Sequence, residues 1–330
     1  MRAGASNLKL SRLPTIGGII VIRTITLNPA IDKTVEISEF SIGSVNRVNS
    51  VRTDAGGKGI NVSKVIKSLG GDSTALGFLA GSNGRFIKDY LNNFGILNNF
   101  VFTHGETRVN LKVVDKVNKT NTDINEPGVI VSEDDIRELE KNIFGNTEPN
   151  SIIVFSGSVP AGIPKDIYRT WIMRAKEAGM KTILDADGEL LKEGIKAGPY
   201  LIKPNIHELE KLYNKKLDGI ESILEVSIDL FMYGIKKIVV SLGEAGALFI
   251  ETNKVILAEG LKVEVGSTVG AGDSMVAALA YSIEKRYSLE DTVILSVATS
   301  AANVTTSGTE PASFEKIIEL KKNVKFSYLK

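Results

Sequence analysis

The chain has 330 residues, 43% of them hydrophobic, enough for one large α/β unit carrying a small insertion. Its 40 basic and 39 acidic side chains leave a net charge of +1, so there is no electrostatic case for nucleic acid or an anionic membrane, and any phosphate-binding site must be local. No cysteine is present, which excludes disulfides, thiolate metal sites and thiol chemistry, and two histidines, His104 and His207, argue against a histidine-built zinc site.

Residues 1–18 carry Arg2, Lys9 and Arg12 and read as an extension, disordered or not native. The apolar run at 16–22 is short, has no small-residue cleavage site after it and flows into Arg23-Thr24-Ile25, so it reads as a core strand rather than a secretory signal. Nothing approaches the length of a membrane span, and a cytoplasmic location is expected. A buried strand is predicted at 19–27, bounded by Asn28-Pro29. Segments 35–53 and 107–122 differ: they are short and alternating, with turns at Gly43-Ser44 and Asn118-Lys119, as in a small sheet with one solvated face.

Elsewhere strands and helices alternate. A helix is predicted at 61–69, stopped by Gly70-Gly71, then a strand at 73–79 and a helix at 84–94 closed by Gly95. Ser132 caps a helix at 132–143, with Asp135 three residues on. Strands at 151–155, 182–185, 200–203 and 237–242 interleave with helices at 165–178, 189–197, 206–212 and 220–233. A hairpin is expected at 247–257, and helices at 271–285, 289–306 and 313–321 end the chain. Such alternation indicates a parallel sheet with helices on both faces.

Two glycine-rich turns could carry chemistry. In Val269-Gly270-Ala271-Gly272-Asp273-Ser274-Met275 the glycines let backbone amides turn toward one point just where an apolar helix begins, a setting that favours an anion. Asp273 adds negative charge there, which makes sense for a base beside a transferred phosphoryl group and equally for an ordinary helix cap. In Ala55-Gly56-Gly57-Lys58-Gly59-Ile60-Asn61 the glycines allow close approach to a ligand, Lys58 offers a charge for a phosphate and Asn61 a partner for sugar hydroxyls. A tight strand-to-helix turn explains the same pattern, and the Walker spacing is absent. Lys203-Pro204-Asn205 with Glu208 lies at a strand end, where open α/β sheets bind ligands; it suits water-mediated Mg²⁺ or a capping box. Ser156-Gly157-Ser158 also ends a strand. Asp185 and Asp187 read as a turn rather than a metal pair.

The order of the two turns, GGKGIN and then VGAGDSM about 200 residues later, resembles the paired signatures of the PfkB/ribokinase family. TLNPAID at 26–32, TRVN at 107–110, SGSVP at 156–160, KPNxxE at 203–208 and SLG at 241–243 extend the resemblance over residues 20–320. It implies a ribokinase-like three-layer α/β/α core with a mainly parallel sheet, spanning residues 19–330, and a small β-sheet lid from about 32–55 and 107–127. It implies an ATP- and Mg²⁺-dependent kinase with Asp273 as general base and Gly270, Ala271 and Gly272 as the amide anion hole. Asp32, Gly57, Lys58, Asn61 and Asn110 would hold the sugar; Lys58, Arg108 and Ser158 would grip the phosphate it already carries. Lys203, Asn205, Ser241, Gly243, Gly246 and Asn303 would lie near ATP, with Asn205 and Glu208 reaching Mg²⁺ through water. Ser267, Val269, Thr306 and Gly308 occupy the positions of monovalent-cation (K⁺) ligands, and homodimers would form through the lid. TRVNLKV and TDINEPG resemble the branch acting on fructose 1-phosphate, with the tagatose 6-phosphate branch next; charge and spacing do not choose the ketose. A fructose 6-phosphate kinase, a kinase of an unphosphorylated sugar and a non-catalytic sugar-phosphate sensor remain as rivals. A Rossmann dehydrogenase does not fit, since no GxGxxG follows the first strand.

Overall fold

The structure, a computed structural model, describes residues 20–145 and 148–330; the extension expected at 1–18 lies outside them. The chain enters the main sheet with β1 (Ile22–Thr26) and leaves it at once for β2 (Ala30–Ile37) and β3 (Ser50–Gly56) of a second sheet. Helix α1 (Lys58–Ser68) returns it to β4 (Ser73–Ala80), followed by α2 (Gly81–Asn93) and the short strands β5 (Leu97–Asn98) and β6 (Val101–Thr103). A second excursion forms β7 (Val109–Asp115) and β8 (Thr120–Asn125). Then α3 (Glu133–Phe144), β9 (Ile152–Ser156), α4 (Ile167–Glu177), β10 (Lys181–Asp185), α5 (Gly188–Lys196) and β11 (Leu201–Ile202) alternate. After α6 (Ile206–Tyr213) and α7 (Gly219–Asp229) come β12 (Lys237–Ser241), β13 (Gly246–Glu251) and β14 (Lys254–Glu259). The chain ends with α8 (Ala271–Glu284), α9 (Leu289–Val304), α10 (Phe314–Lys321) and β15 (Phe326–Tyr328).

The main sheet runs β15-β14-β13-β12-β11-β10-β9-β1-β4-β5, with β6 also on β4. Pairing is parallel from β12 to β5 and antiparallel through β13, β14 and β15. Side chains alternate between its faces because a strand has a period of two. Ile153, Phe155, Leu184, Ile238 and Val240 pack under α4 to α7, around Tyr168, Trp171 and Ile172. Ile22, Ile152, Val154, Ile183 and Val239 pack on the other face under α1, α8, α9 and α10. Near-continuous apolar strands follow, as expected when both faces are covered.

The second sheet runs β3-β2-β7-β8. Its own core is Val35, Ile37 and Val113. Burying three aliphatic side chains contributes roughly 5–9 kcal/mol, far less than ordering four strands costs at roughly 1–2 kcal/mol per residue. The sheet therefore depends on its junction with the body, where Ile31 and Ala55 pack with Ile60, Leu79, Ile87 and Leu91.

The predicted cap at Ser132 is a full capping box with Asp135. The expectations miss at several points: α1 starts at Lys58 rather than 61 and α2 at Gly81 rather than 84, and β5, β6 and β15 were not anticipated, because two or three residues beside a helix carry no strand pattern.

Candidate active site

Strands β1, β9, β10, β11 and β12 are parallel, so the turns after Thr26, Ser156, Asp185, Ile202 and Ser241 collect at one end of the sheet. Between that end and the second sheet lies a cavity of about 470 Å³, lined among others by Asp32, Lys58, Asn61, Arg108, Asn110 and Asp273. The two glycine turns thus meet in space.

Asp273 is not the cap of α8. Gly270 holds the cap position at φ 80°, a left-handed conformation that favours glycine, and no side chain caps the helix. The Asp273 carboxylate sits in the first turn and accepts a hydrogen bond from Asn61 Nδ2 at 2.8 Å, joining the two turns directly. Burial pushes the carboxyl up to about 6, against the pull of Lys58 and the Asn61 hydrogen bond and with the repulsion of Asp185. A carboxyl poised there is matched to proton abstraction near neutral pH.

Asp185, read from sequence as a turn residue, ends β10 at 2% exposure and binds two lysines: Lys203 Nζ at 3.1 Å and Lys58 Nζ at 3.4 Å. Burial alone would raise its carboxyl, but Lys203 and Lys58 outweigh that and hold it below the ordinary range. Asp185 in turn raises the pKa of Lys58, so the lysine stays charged. The ammonium of Lys58 thus lies toward Asp273 and Asp185, at the reacting end of the cavity.

The other wall is built for hydroxyls. Asp32 packs on Gly56 so closely that a methyl there would collide with its carboxylate. Asn110 Nδ2 donates to Asp32 Oδ1 at 3.0 Å, and burial raises the Asp32 carboxyl despite that bond. Asn61 Oδ1, Asn110 Oδ1, Thr26 Oγ1 and Ser156 Oγ are buried without hydrogen-bond partners, and all four residues line the cavity. Buried polar atoms are rarely left unpaired, so this ring points to a polyhydroxylated occupant. Arg108 spreads its guanidinium over the carbonyls of Asn28, Pro29 and Glu126 at 3.2–3.4 Å, with no carboxylate in ion-pair contact among the described residues. Ser158 lies beside it, bonded to Asn28 Nδ2 at 3.2 Å.

The sequence pattern of pfkB family carbohydrate kinases matches residues 25–316. The chain belongs to the PfkB family. It is 39% identical over 283 residues to 1-phosphofructokinase of Borreliella burgdorferi, covering 86% of this chain and 91% of that one. Against 1-phosphofructokinase of Escherichia coli it is 37% identical over 286 residues, covering 87% and 91%. Phosphofructokinase-2 from E. coli in complex with substrates and products superposes with a TM-score of 0.88 at 31% identity, over 92% of this chain and 99% of that one. The same E. coli enzyme has been solved with potassium, TM-score 0.87, and in a tetrameric inhibited form, TM-score 0.86.

The remaining expected residues of this PfkB chain fall into four groups. Lys203 and Asn303 flank the turn at 269–272: Lys203 Nζ lies 3.4 Å from where a side chain on Gly272 would start, and Asn303 Nδ2 donates to Val269 O at 3.4 Å. Asn205 and Glu208 form a full capping box on α6, and Ser241 bridges to Asn205 at the end of β12. Gly243 opens an exposed turn, whereas Gly246 is buried where a methyl would collide with Ala258 O, so a packing cause accounts for that glycine. Of the four cation-ligand candidates, Val269 and Gly308 face the cavity, Ser267 Oγ accepts from Val269 N, and Thr306 Oγ1 donates to backbone carbonyls. Among the described residues no group of three acidic or histidine side chains forms a metal cluster, and no helix is long and apolar enough to cross a membrane. Arg52, Asp54 and Thr309 also line the cavity and went unnoticed in sequence, since none belongs to a glycine turn; Asp187, read there as a turn residue, lines it too.

Proposed function

We propose that this chain transfers the γ-phosphoryl group of ATP to the free primary hydroxyl of fructose 1-phosphate, giving fructose 1,6-bisphosphate and ADP. The observation that carries the reading is Asp273, with its carboxyl pushed up to about 6, hydrogen-bonded to Asn61 and facing a cavity ringed with unpartnered polar atoms. The acceptor oxygen gives its proton to Asp273 as its bond to phosphorus forms and the bond from γ-phosphorus to the β,γ-bridging oxygen breaks. Amides of Gly270, Ala271 and Gly272 take up charge on the transferred group at the positive end of α8. Lys58 and Lys203, held by one carboxylate, add positive charge there. Arg108, with Ser158 nearby, is the cation we assign to the phosphate already on the sugar, because Lys58 is committed to Asp185. Asp32, Asn110, Gly57 and Asn61 hold the hydroxyls.

Asn205 and Glu208 would hold Mg²⁺ through water: the capping box fixes both side chains at the mouth of α6 and uses only Oε2 of Glu208, leaving Oε1 for a water. Mg²⁺ bound with ATP neutralises phosphate charge. A monovalent cation would rest on backbone carbonyls of 267, 269, 306 and 308 rather than on their side chains. Pairing of two copies through the second sheet is supported by Val51 and Ile124, exposed on it, and by exposed Val45 in the loop joining β2 to β3.

An ATP-consumption assay against fructose 1-phosphate, fructose 6-phosphate, tagatose 6-phosphate and ribose tests the reading. Turnover is expected to be fastest with fructose 1-phosphate. No turnover with any sugar phosphate would leave a sensor in place of a kinase.

A further inference from the structure

Helix α1 carries a lysine that the reaction above does not use. Lys64 is fully buried, and burial pulls its ammonium down to about 8 against the attraction of Asp54, Asp32 and Asp273. A buried cation is costly, and an apolar residue of similar volume often replaces one without loss of stability. Its contacts suggest what it does. Lys64 Nζ donates to Ala55 O of β3 at 2.9 Å and to Thr309 Oγ1 at 3.3 Å. Further along β3, Arg52 Nε donates to Asp54 Oδ2 at 2.8 Å, and the guanidinium lies so close over Gly308 that a methyl there would collide with it. Lys64 of α1 thus bridges β3 to Thr309, and Arg52 of β3 lies against the same turn at Gly308.

That turn leads out of α9, and the end of α9 holds the anion-hole turn. Gly266 N and Ser267 N donate to Val304 O at 2.9 and 3.1 Å, and Asn303 Nδ2 donates to Val269 O at 3.4 Å. Ser300 Oγ donates to Ala271 O at 3.0 Å. The stretch between is braced by Thr306 Oγ1, 2.7 Å from both Asn303 O and Glu310 O. Polar contacts and the short backbone step from Thr309 to Glu310 thus join β3 to the turn at 266–271.

We infer that Lys64 and Thr309 are positioning residues that couple the lid strand β3 to the anion-hole turn, so that a sugar phosphate seated under the lid aligns the amides at 270–272. The inference rests on the kinase reading above. It predicts coupling in both directions, since linkage between sites is reciprocal.

Thr309→Val keeps the shape and removes the acceptor; Lys64→Met keeps the length and removes both bonds. Thr309→Val is expected to lower kcat about three- to tenfold, the worth of one hydrogen bond, with KM for ATP nearly unchanged. Lys64→Met should lower it further, and the double variant should match Lys64→Met, because both changes break one link. Hydrogen exchange supplies a readout that a purely structural role would not move. In the wild type, fructose 1-phosphate should protect amides of both β3 and 266–271; in Thr309→Val it should protect β3 alone. Wild-type kcat in Thr309→Val with protection still reaching 266–271 would overturn the coupling. So would lowered thermal stability with kcat per folded molecule intact. Failure of the wild type to phosphorylate fructose 1-phosphate would sink the kinase reading instead. The reciprocal exchange run, a non-hydrolysable ATP analogue read at β3, then decides the coupling without the sugar: protection at β3 surviving in Thr309→Val overturns it, and its loss supports it.

Discussion

Replacing Asp273 by Asn separates catalysis from stability in one variant. Burial raises the carboxyl from 3.8 to about 6, and each unit is worth about 1.4 kcal/mol, so the ionised group costs the fold on the order of 3 kcal/mol. The folded-state value is raised, so the cost is absent below pH 3.8, grows through the window up to about 6 and is fully present above it. Asp273→Asn keeps an oxygen to accept from Asn61 and removes the charge. Turnover should fall by roughly 10²–10⁴-fold, the wild-type acidic limb of kcat/KM near pH 6 should disappear, and urea denaturation at pH 8 should show a more stable variant. At pH 4 the two proteins should unfold at nearly equal urea. Near-normal turnover, or a stability difference that is the same at pH 4 and pH 8, would refute the reasoning.

Asp185→Asn leaves Lys203 buried without its counter-charge and should lose roughly 3 kcal/mol at pH 7 by chemical denaturation. Because Asp185 is held below its ordinary 3.8, the wild-type advantage should shrink as pH falls below that value. Lys58→Met should lower kcat by roughly 10- to 100-fold with KM for the sugar phosphate changed much less, as steady-state kinetics would show. Arg108→Ala should do the opposite, raising KM for the sugar phosphate by roughly 10-fold or more and moving KM for ATP little.

Much of this architecture is legible in the residues. The apolar strands of the main sheet sit between glycine and proline stops, and the two glycine turns are recognisable without coordinates. Asp273 could be singled out because an acid in an anion-binding turn is incongruous. Asn61 could be placed in the site, but its bond to Asp273 depends on two turns far apart in the chain meeting. Asp185 was misread for a physical reason: an aspartate after a strand is usually a turn former, and only its burial between Lys58 and Lys203 marks it otherwise. Lys64 hides in the same way: lysine is ordinarily a surface residue of a helix, and only the burial of α1 from Gly59 to Ile66 marks this one otherwise. Arg52 and Asp54 lie on an alternating strand whose solvent-facing pattern conceals that one end of it is roofed by residues 308–309.

The packing of α8, α9 and α10 against one face of the main sheet has a consequence in time. Those helices and β15 occupy roughly the last 60 residues of the chain. A ribosome adding about 5–20 residues per second takes several seconds to deliver them. Until then the strands from β1 to β14 can pair, but Ile22, Ile152, Val154, Ile183 and Val239 lack most of their cover. Each newly made chain therefore shows an apolar sheet face to the cell before Asp273 and the helices that follow it have been made.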